Sequence, residues 1–341
     1  MRAIHDPRQS RHDPKHCLIS GKVKPNREQP ERAARLLAGA RAAGASIEPP
    51  RDAGLAPIAA IHSPEYLTFL QTIHARWQAL EDASEEVIPN VHPARRDADS
   101  YPASPVGQAG WHMADTACPI AAHTWDSAYW SAQTALSAAD LVAGGARAVY
   151  ALCRPPGHHA FGDLAGGFCF LNNSAIAAER LRAAGLRPAI LDIDVHHGNG
   201  TQGIFYARRD VLTVSIHADP AGFYPFFWGH AAERGEGAGQ GYNLNLPLPR
   251  GTGDAPWLDT LGVALARISA FAPDVLVLAL GLDAHEADPY QGLAVTTPGF
   301  TRIAARIAAL GLPTVIVQEG GYLSEHLGPN LTAFLGGFEA G

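Results

Sequence analysis

A predominantly parallel α/β fold is predicted from two features of this 341-residue chain. From about residue 145 onward, short aliphatic runs alternate with longer Ala-rich stretches, and each run is hydrophobic throughout instead of at every second position. A strand covered by helices on both faces reads this way, because neither face meets water. The second feature is that nearly every run is followed at once by a polar cluster containing Asp, His or Tyr.

The elements follow in chain order. The opening MRAIHDPRQSRH contains no apolar run, so no signal peptide is expected, and the basic residues Arg8, Arg11, Lys15, Lys22 and Lys24 are read as a mobile charged terminus. Helices are expected over residues 31–43, over 64–79 with Ser63 as N-cap and Pro64 at the first helical position, and over 127–142. Between the second and third of these, residues 81–105 are rich in Pro, Asp, Ser and Arg and form a long excursion of the kind that serves as a lid or partner contact, or is disordered. Strands are then expected at 147–153 (RAVYALC), 187–194 (RPAILDID), 211–217 (VLTVSIH), 274–281 (DVLVLALG) and 313–319 (PTVIVQE). Helices at 172–184, 255–271 and 298–310 separate them, the last with Thr297 as N-cap and Pro298 behind it, while 235–241 (GEGAGQG) is a flexible loop before 243–248. No internal repeat or compositional break divides the chain, so residues 1–341 are expected to form one domain.

Composition removes several functional classes. Hydrophobic residues are 47% and charged residues 17% of the chain, enough for a large core and unlike a disordered protein. A net charge of −7 and only three lysines leave nothing to neutralise a phosphate backbone, so no nucleic-acid partner is expected. The longest apolar stretch, residues 275–280, is far short of a membrane span, so no membrane partner is expected. Cys17, Cys118, Cys153 and Cys169 show no C-x-x-C spacing and read as free thiols in a reducing, cytoplasmic setting.

The chemistry gathers behind the strands, where open parallel sheets bind their ligands. Arg154-Pro155-Pro156-Gly157-His158-His159 follows the first run, and Asp192-Ile193-Asp194-Val195-His196-His197-Gly198-Asn199 ends the second. His217 ends the third, Gly281-Leu282-Asp283 the fourth, and Glu319-Gly320-Gly321-Tyr322 the fifth. Asp194 and His196 are two apart on extended chain and so point to the same side. With Asp283 they make a three-ligand metal site that keeps a position open, as catalytic centres do. One Asp-x-His pair is usually a cap or a surface turn, but four polar clusters arriving at strand ends argue for a site. Asp192 and Asn199 are available to fix the tautomers of His158 and His159, as general-base work requires. Gly166-Gly167-Phe168 offers close backbone approach and an aromatic wall, and Tyr322 a phenol able to stabilise an oxyanion. His285-Glu286-Ala287-Asp288 lacks the second His of a zinc-protease helix, and Gly237-Ala238-Gly239 opens no helix after a strand, so both are set aside.

The strings RPPGHHA (154–160), GGFCFLNNSAIAA (166–178), LDIDVHHGNGTQGIFY (191–206), LGLDAHEADP (280–289) and QEGGY (318–322) resemble the zinc-dependent histone deacetylase superfamily, and within it the bacterial acetylpolyamine amidohydrolases. The likeness runs in order over about 140–325, with IHSPEYLTFL (61–70) similar as well. It implies a single arginase–deacetylase-type domain with a mainly parallel eight-stranded sheet. It also implies one divalent ion, Zn²⁺ with Fe²⁺ or Co²⁺ as alternatives, on Asp194, His196 and Asp283. His159 would be general base and acid, His158 an electrostatic partner oriented by Asp192, and Tyr322 the polariser of the amide oxygen. Gly167, Phe168 and Tyr224 would line a narrow substrate channel, and Asp192, Asp194, His196 and Ser215 would surround a structural potassium ion. The implied substrate is a small acetylated amine of the acetylputrescine, acetylcadaverine or acetylspermidine class, and the excursion at 81–105 would build a homodimer.

One departure bears on specificity. The positions matched to the acids that hold the distal ammonium in polyamine-specific members read Cys17, Val106 and Ala117. Asp97, Asp99 and Asp115 are the nearby candidates to replace them, and acetyl-lysine or another small acetylamide is the alternative substrate. An arginase-type binuclear ureohydrolase is disfavoured because His285 stands where a second acid is needed and the His158-His159 segment has no adjacent Asp. A non-catalytic acetylamine-binding relative would be expected to have lost a ligand or the tyrosine, yet all are present.

Overall fold

The computed structural model describes residues 1–96 and 100–341. Its strands are β1 (Arg2–Ile4), β2 (His16–Ile19), β3 (Lys22–Pro25), β4 (Ser46–Glu48), β5 (Ala148–Ala151), β6 (Pro188–Asp192), β7 (Leu212–Ala218), β8 (Asn243–Leu248), β9 (Val275–Leu280) and β10 (Thr314–Gln318). Eight of them form one sheet in the order β4-β1-β5-β10-β9-β6-β7-β8, and every neighbouring pair is parallel. The remaining two form a small antiparallel hairpin, turned by Ser20 and Gly21 in the left-handed conformation that a two-residue loop needs.

The helices are α1 (Glu31–Ala42), α2 (Ala56–Ala59), α3 (Pro64–Trp77), α4 (Pro105–His112), α5 (Thr124–Ala143), α6 (Asn173–Ala183), α7 (Asn199–Phe205), α8 (Asp254–Phe271), α9 (Thr297–Ala308) and α10 (Leu327–Ala340). Continuous strand hydrophobicity has the expected cause. On β9, Val275 and Val277 pack with α5 and α6 on one face, and Leu276, Leu278 and Leu280 pack with α1, α8, α9 and α10 on the other. Thus α helices cover both faces of the parallel sheet. A third cluster joins α3 to the outer side of α5 through Tyr66, Phe69, Ile73, Ala132 and Leu136.

Several local expectations are corrected. The N-terminus is ordered, because its strand β1 lies between β4 and β5 with Ala3 and Ile4 buried. Several of its charges are paired: Arg2 with Glu48, Arg8 with Asp6 and stacked over Trp130, and Arg11 with Asp126. The N-cap of α9 is Thr296, whose hydroxyl accepts from Gly299 N–H, which shifts the helix start by one residue. β1 and β4, three residues each, were too short to give a periodic signal. The described parts of the 81–105 excursion are tied to the body. Val87 bridges to Ile120, buried Glu86 accepts from the Lys15 and His16 amides, and Arg96 pairs with Asp163. Asp97 and Asp99 lie outside the described residues. No described helix is long and apolar enough to cross a membrane.

Candidate active site

The strands β5, β10, β9 and β6 are contiguous in the sheet. Neighbouring strands lie about 4.8 Å apart, so the segments leaving their carboxyl ends converge on one spot. β6 and β9 are direct neighbours, and this puts Asp194 and His196 beside Asp283. One ligand atom from each of these three buried residues lies within 4.8 Å of the other two. His196 Nδ1 is 3.1 Å from Asp194 Oδ1 and 3.3 Å from Asp283 Oδ2.

The local hydrogen bonds aim the carboxylates. Asp194 Oδ1 accepts from His196 N–H at 2.8 Å and Oδ2 from Gly320 N–H at 2.7 Å, while Asp283 Oδ1 accepts from Val195 N–H at 3.1 Å. Asp283 Oδ2 is buried and accepts no hydrogen bond. A Cβ at Gly320 would overlap both carboxylates, so the chain needs glycine to approach this closely. Two buried carboxylates against one imidazole leave negative charge in a medium of low polarity, and Asp283 Oδ2 has only the His196 ring 3.3 Å away and no hydrogen bond. This donor set fits a divalent cation, and Asp/His/Asp accepts Zn²⁺, Co²⁺ or Fe²⁺. Burial alone would lower the pKa of His196, but Asp194 and Asp283 outweigh it and push it up to about 9.

The two histidines after β5 differ sharply. His158 Nδ1 is 2.9 Å from Asp192 Oδ2, and against the lowering effect of burial, Asp192 and then Asp194 push its pKa up to about 10. His159 Nδ1 donates to Asn199 Oδ1 at 2.6 Å, which leaves Nε2 with a free lone pair. Burial, followed by the neighbouring His158 and His196, holds His159 well below its usual value, so it is neutral. One ring of the pair is thus charged and the other is poised to accept a proton.

The remaining walls are aromatic. Gly166 and Cys169 exchange backbone hydrogen bonds around Gly167 and Phe168, both at positive φ (50° and 69°), which makes a type I′ turn. Glycine adopts that conformation freely. Phe168 is strained in it, as residues at working sites often are. Tyr224 stands edge-on to His159 at 4.9 Å, and its hydroxyl donates to Asp115 Oδ2 at 2.6 Å. The same Asp115 oxygen accepts from Gly167 N–H at 3.1 Å, so this carboxylate joins the segment of Gly167 to that of Tyr224. Tyr322 is buried, with its ring 5.7 Å from Phe168 and 4.8 Å from Tyr290. Burial, then Tyr290, holds its phenol well above the ordinary value, so it remains a donor.

Asp192 and Ser215 are cross-strand partners and line a small cavity of about 10 Å³. His217 Nε2 is 2.9 Å from Gly229 O and donates to it, so its Nδ1 accepts from Ser215 Oγ at 2.7 Å. That leaves the Ser215 oxygen lone pairs free for a cation. Neither Asp194 nor His196 lines that cavity; their side chains are turned to the Asp283 cluster instead.

Some residues of the site were given no role in the sequence reading. Asp288, inside the segment set aside as a false zinc motif, is buried and accepts from the amides of Tyr290 and Tyr322. Tyr290 stands edge-on to His196 at 5.1 Å. Glu319 accepts from Gly157 N–H at 2.6 Å, His158 N–H at 3.1 Å and Ser174 Oγ at 2.8 Å. It also clusters with His158 and Cys169, but its oxygens are committed to these donors, so the group acts as a strut and not a second metal site. The only sequence signal for these residues was their nearness to recognised motifs.

The model of the histone deacetylase domain matches residues 26–338 of the chain. Acetylpolyamine amidohydrolase of Burkholderia pseudomallei is 53% identical over 341 residues, covering 100% of this chain and 99% of that protein. Acetylpolyamine amidohydrolase 1 of Pseudomonas aeruginosa is 45% identical over 326 residues, covering 94% of each. A crystal structure of the acetylpolyamine aminohydrolase from B. pseudomallei superposes with a TM-score of 0.96 at 52% identity, covering 100% of this chain and 99% of that one.

Proposed function

The chain belongs to the histone deacetylase family, and from that premise we propose that it is a metal-dependent amidohydrolase that removes acetyl groups from acetylpolyamines. The observation that carries this reading is the convergence of Asp194, His196 and Asp283 beside a neutral His159 and a protonated Tyr322.

Asp194, His196 and Asp283 would hold one divalent ion, with Zn²⁺ the proposed occupant. Bound there, it supplies Lewis acidity, polarising the acetyl carbonyl and easing deprotonation of water. His159 accepts the proton of the attacking water at Nε2, because Asn199 occupies Nδ1–H and its neighbours keep the ring neutral. Tyr322 donates its phenolic hydrogen to the carbonyl oxygen as negative charge grows on it. His158, held cationic by Asp192, adds positive charge close by. His159 then returns its proton to the departing nitrogen, and acetate and a free amine are released. Gly167, Phe168 and Tyr224 confine the linear acetylamide and exclude bulk water. Asp192 and Ser215 would hold a potassium ion that stiffens the carboxyl end of β6.

Cys17, Val106 and Ala117 bring no charge to the mouth. Asp115, anchored on Tyr224 and Gly167, is the acid proposed to face the distal ammonium. We also propose a homodimer. Phe227 is 85% and Phe226 50% exposed, next to Tyr224 in the chain, and Val91 of the excursion is 52% exposed; sedimentation velocity at dilute concentration showing only monomer would remove it.

The decisive assay compares acetate release from acetylputrescine, acetylcadaverine, acetylspermidine, an acetyl-lysine peptide and a neutral acetamide, with and without a chelator. The expected result is chelator-sensitive hydrolysis that is fastest on the acetylpolyamines. Preference for the acetyl-lysine peptide or the neutral amide would overturn the substrate class, and no release from any of them would overturn the enzyme.

A further inference from the structure

We propose that Glu28 is a positioning residue for this reaction, a buried carboxylate that ties the segment carrying His158 and His159 to the segment carrying Tyr322. This inference rests on the catalytic roles proposed for those residues.

Glu28, Arg32 and Arg154 are all 0% exposed. Glu28 Oε1 accepts from Arg32 Nη1 at 2.7 Å and from Arg154 Nε at 2.8 Å. The Arg32 guanidinium then holds one catalytic segment, and Arg154 is itself part of the other. Arg32 donates from Nε to Gly321 O at 2.5 Å and from Nη2 to Glu319 O at 2.7 Å, and its Cζ lies 4.8 Å from the centre of the Tyr322 ring. Arg154 begins the turn that leads to His158. Its backbone N–H donates to Gln9 Oε1 at 2.8 Å, Nη1 to Gln9 O at 2.7 Å and Nη2 to His12 O at 2.6 Å. The second Glu28 oxygen accepts no hydrogen bond and faces His12 Nε2 at 3.6 Å.

Stability alone gives little reason for this arrangement. Buried ion networks rarely outperform apolar packing of the same volume, because the desolvation of each charge offsets its attraction. What the network supplies is geometry. Arg donors are fixed in a planar fork, so a carboxylate shared by two of them sets the distance between whatever their other nitrogens hold. Here those are the carbonyls on both sides of Gly320 for Arg32, and the carbonyls of Gln9 and His12 for Arg154, whose own backbone begins the turn before the histidines. Since a displacement of about 1 Å at reacting groups can cost on the order of 10²-fold in rate, a shift at Glu28 is expected to reach turnover without touching substrate.

The test uses Glu28→Gln, which keeps the shape and removes the charge, and Glu28→Asp, which keeps the charge one methylene short. Arg32→Lys, which keeps charge without the fork, serves if either folds poorly. Thermal unfolding, divalent metal per chain, kcat and KM are measured on the acetylamide the wild-type enzyme hydrolyses best, in the wild-type and Tyr322→Phe backgrounds. The expected result is unchanged metal content, KM within about twofold, and kcat lowered about 10- to 100-fold. In the Tyr322→Phe background the drop should shrink several-fold, because the phenol is no longer there to misplace. Full kcat in the folded variants overturns the proposal, as does an undiminished drop beside Tyr322→Phe or a loss explained by KM or metal content. Failure of the functional reading is seen separately, as a wild-type protein that hydrolyses no acetylamide.

Discussion

Replacing Tyr322 with phenylalanine deletes one oxygen and leaves the surroundings of the ring in place. The ring is wedged against Phe168 and Tyr290 with the Arg32 guanidinium 4.8 Å from its centre, and its backbone N–H donates to Asp288 at 2.9 Å. None of these contacts uses the hydroxyl, so the variant is expected to fold and bind metal normally. Burial keeps the wild-type phenol protonated, so what is lost is a hydrogen-bond donor to the carbonyl oxygen, present when that oxygen gains charge. Removing one such donor from a preorganised site lowers kcat by ~10²–10³, or about 2.7–4 kcal/mol of transition-state stabilisation. KM should move little, because the neutral carbonyl of the bound substrate gains less from the donor than the oxyanion does. The assay is continuous acetate release, with substrate affinity measured by calorimetry on the variant. Turnover within a few-fold of wild type, at full metal content, would refute the placement of the phenol. A loss seen only in KM would refute its transition-state role.

Three further outcomes are expected. Gly320→Ala sets a methyl group against the carboxylates of Asp283 and Asp194, so metal content by elemental analysis should fall well below one ion per chain; full occupancy would contradict the ligand assignment. His62 is buried, accepts from Asn172 N–H at 2.9 Å, and is held down to about 4 by burial. It stays neutral in the fold while the unfolded chain protonates near 6.5. Stability is therefore fully present above pH 6.5 and is lost as pH falls towards 4, by on the order of 3 kcal/mol at 1.36 kcal/mol per pH unit. Urea unfolding at pH 7 and 4.5 should show His62→Gln losing less across that interval than wild type, and equal losses would refute it. Asp115→Asn keeps acceptors for Tyr224 and Gly167 but removes the charge, so kcat/KM should fall for acetylputrescine and hold for a neutral acetamide; parallel changes on both substrates would show that the charge plays no part in selecting amines.

Strands with both faces buried were legible because their runs are apolar throughout, and the metal and catalytic residues because they sit in order behind those runs. The internal strands and the long helices other than α10 (Leu327–Ala340), which the sequence reading did not expect, were located to within a few residues. Misreadings occurred where local pattern is weak. β1 has three residues and owes its place to pairing with β4 and β5, and Arg11 looked mobile because its partner, Asp126, is distant in sequence. Asp288 was dismissed because its motif was incomplete, although its carboxylate is needed by two amides.

By itself the amino-acid order determined the class of fold and which side chains end the strands, since strand burial and ligand chemistry are written in residue type and spacing. Tertiary structure alone decided which strand ends are neighbours. The order β5-β10-β9-β6 brings together residues that are up to 168 positions apart along the chain, as in the Tyr150–Gln318 hydrogen bond. It also decided how two adjacent histidines come to differ, one paired with Asp192 and the other with Asn199. Adjacency in a sheet and the proton affinity of a buried ring are properties of the environment, set by groups contributed from other parts of the chain.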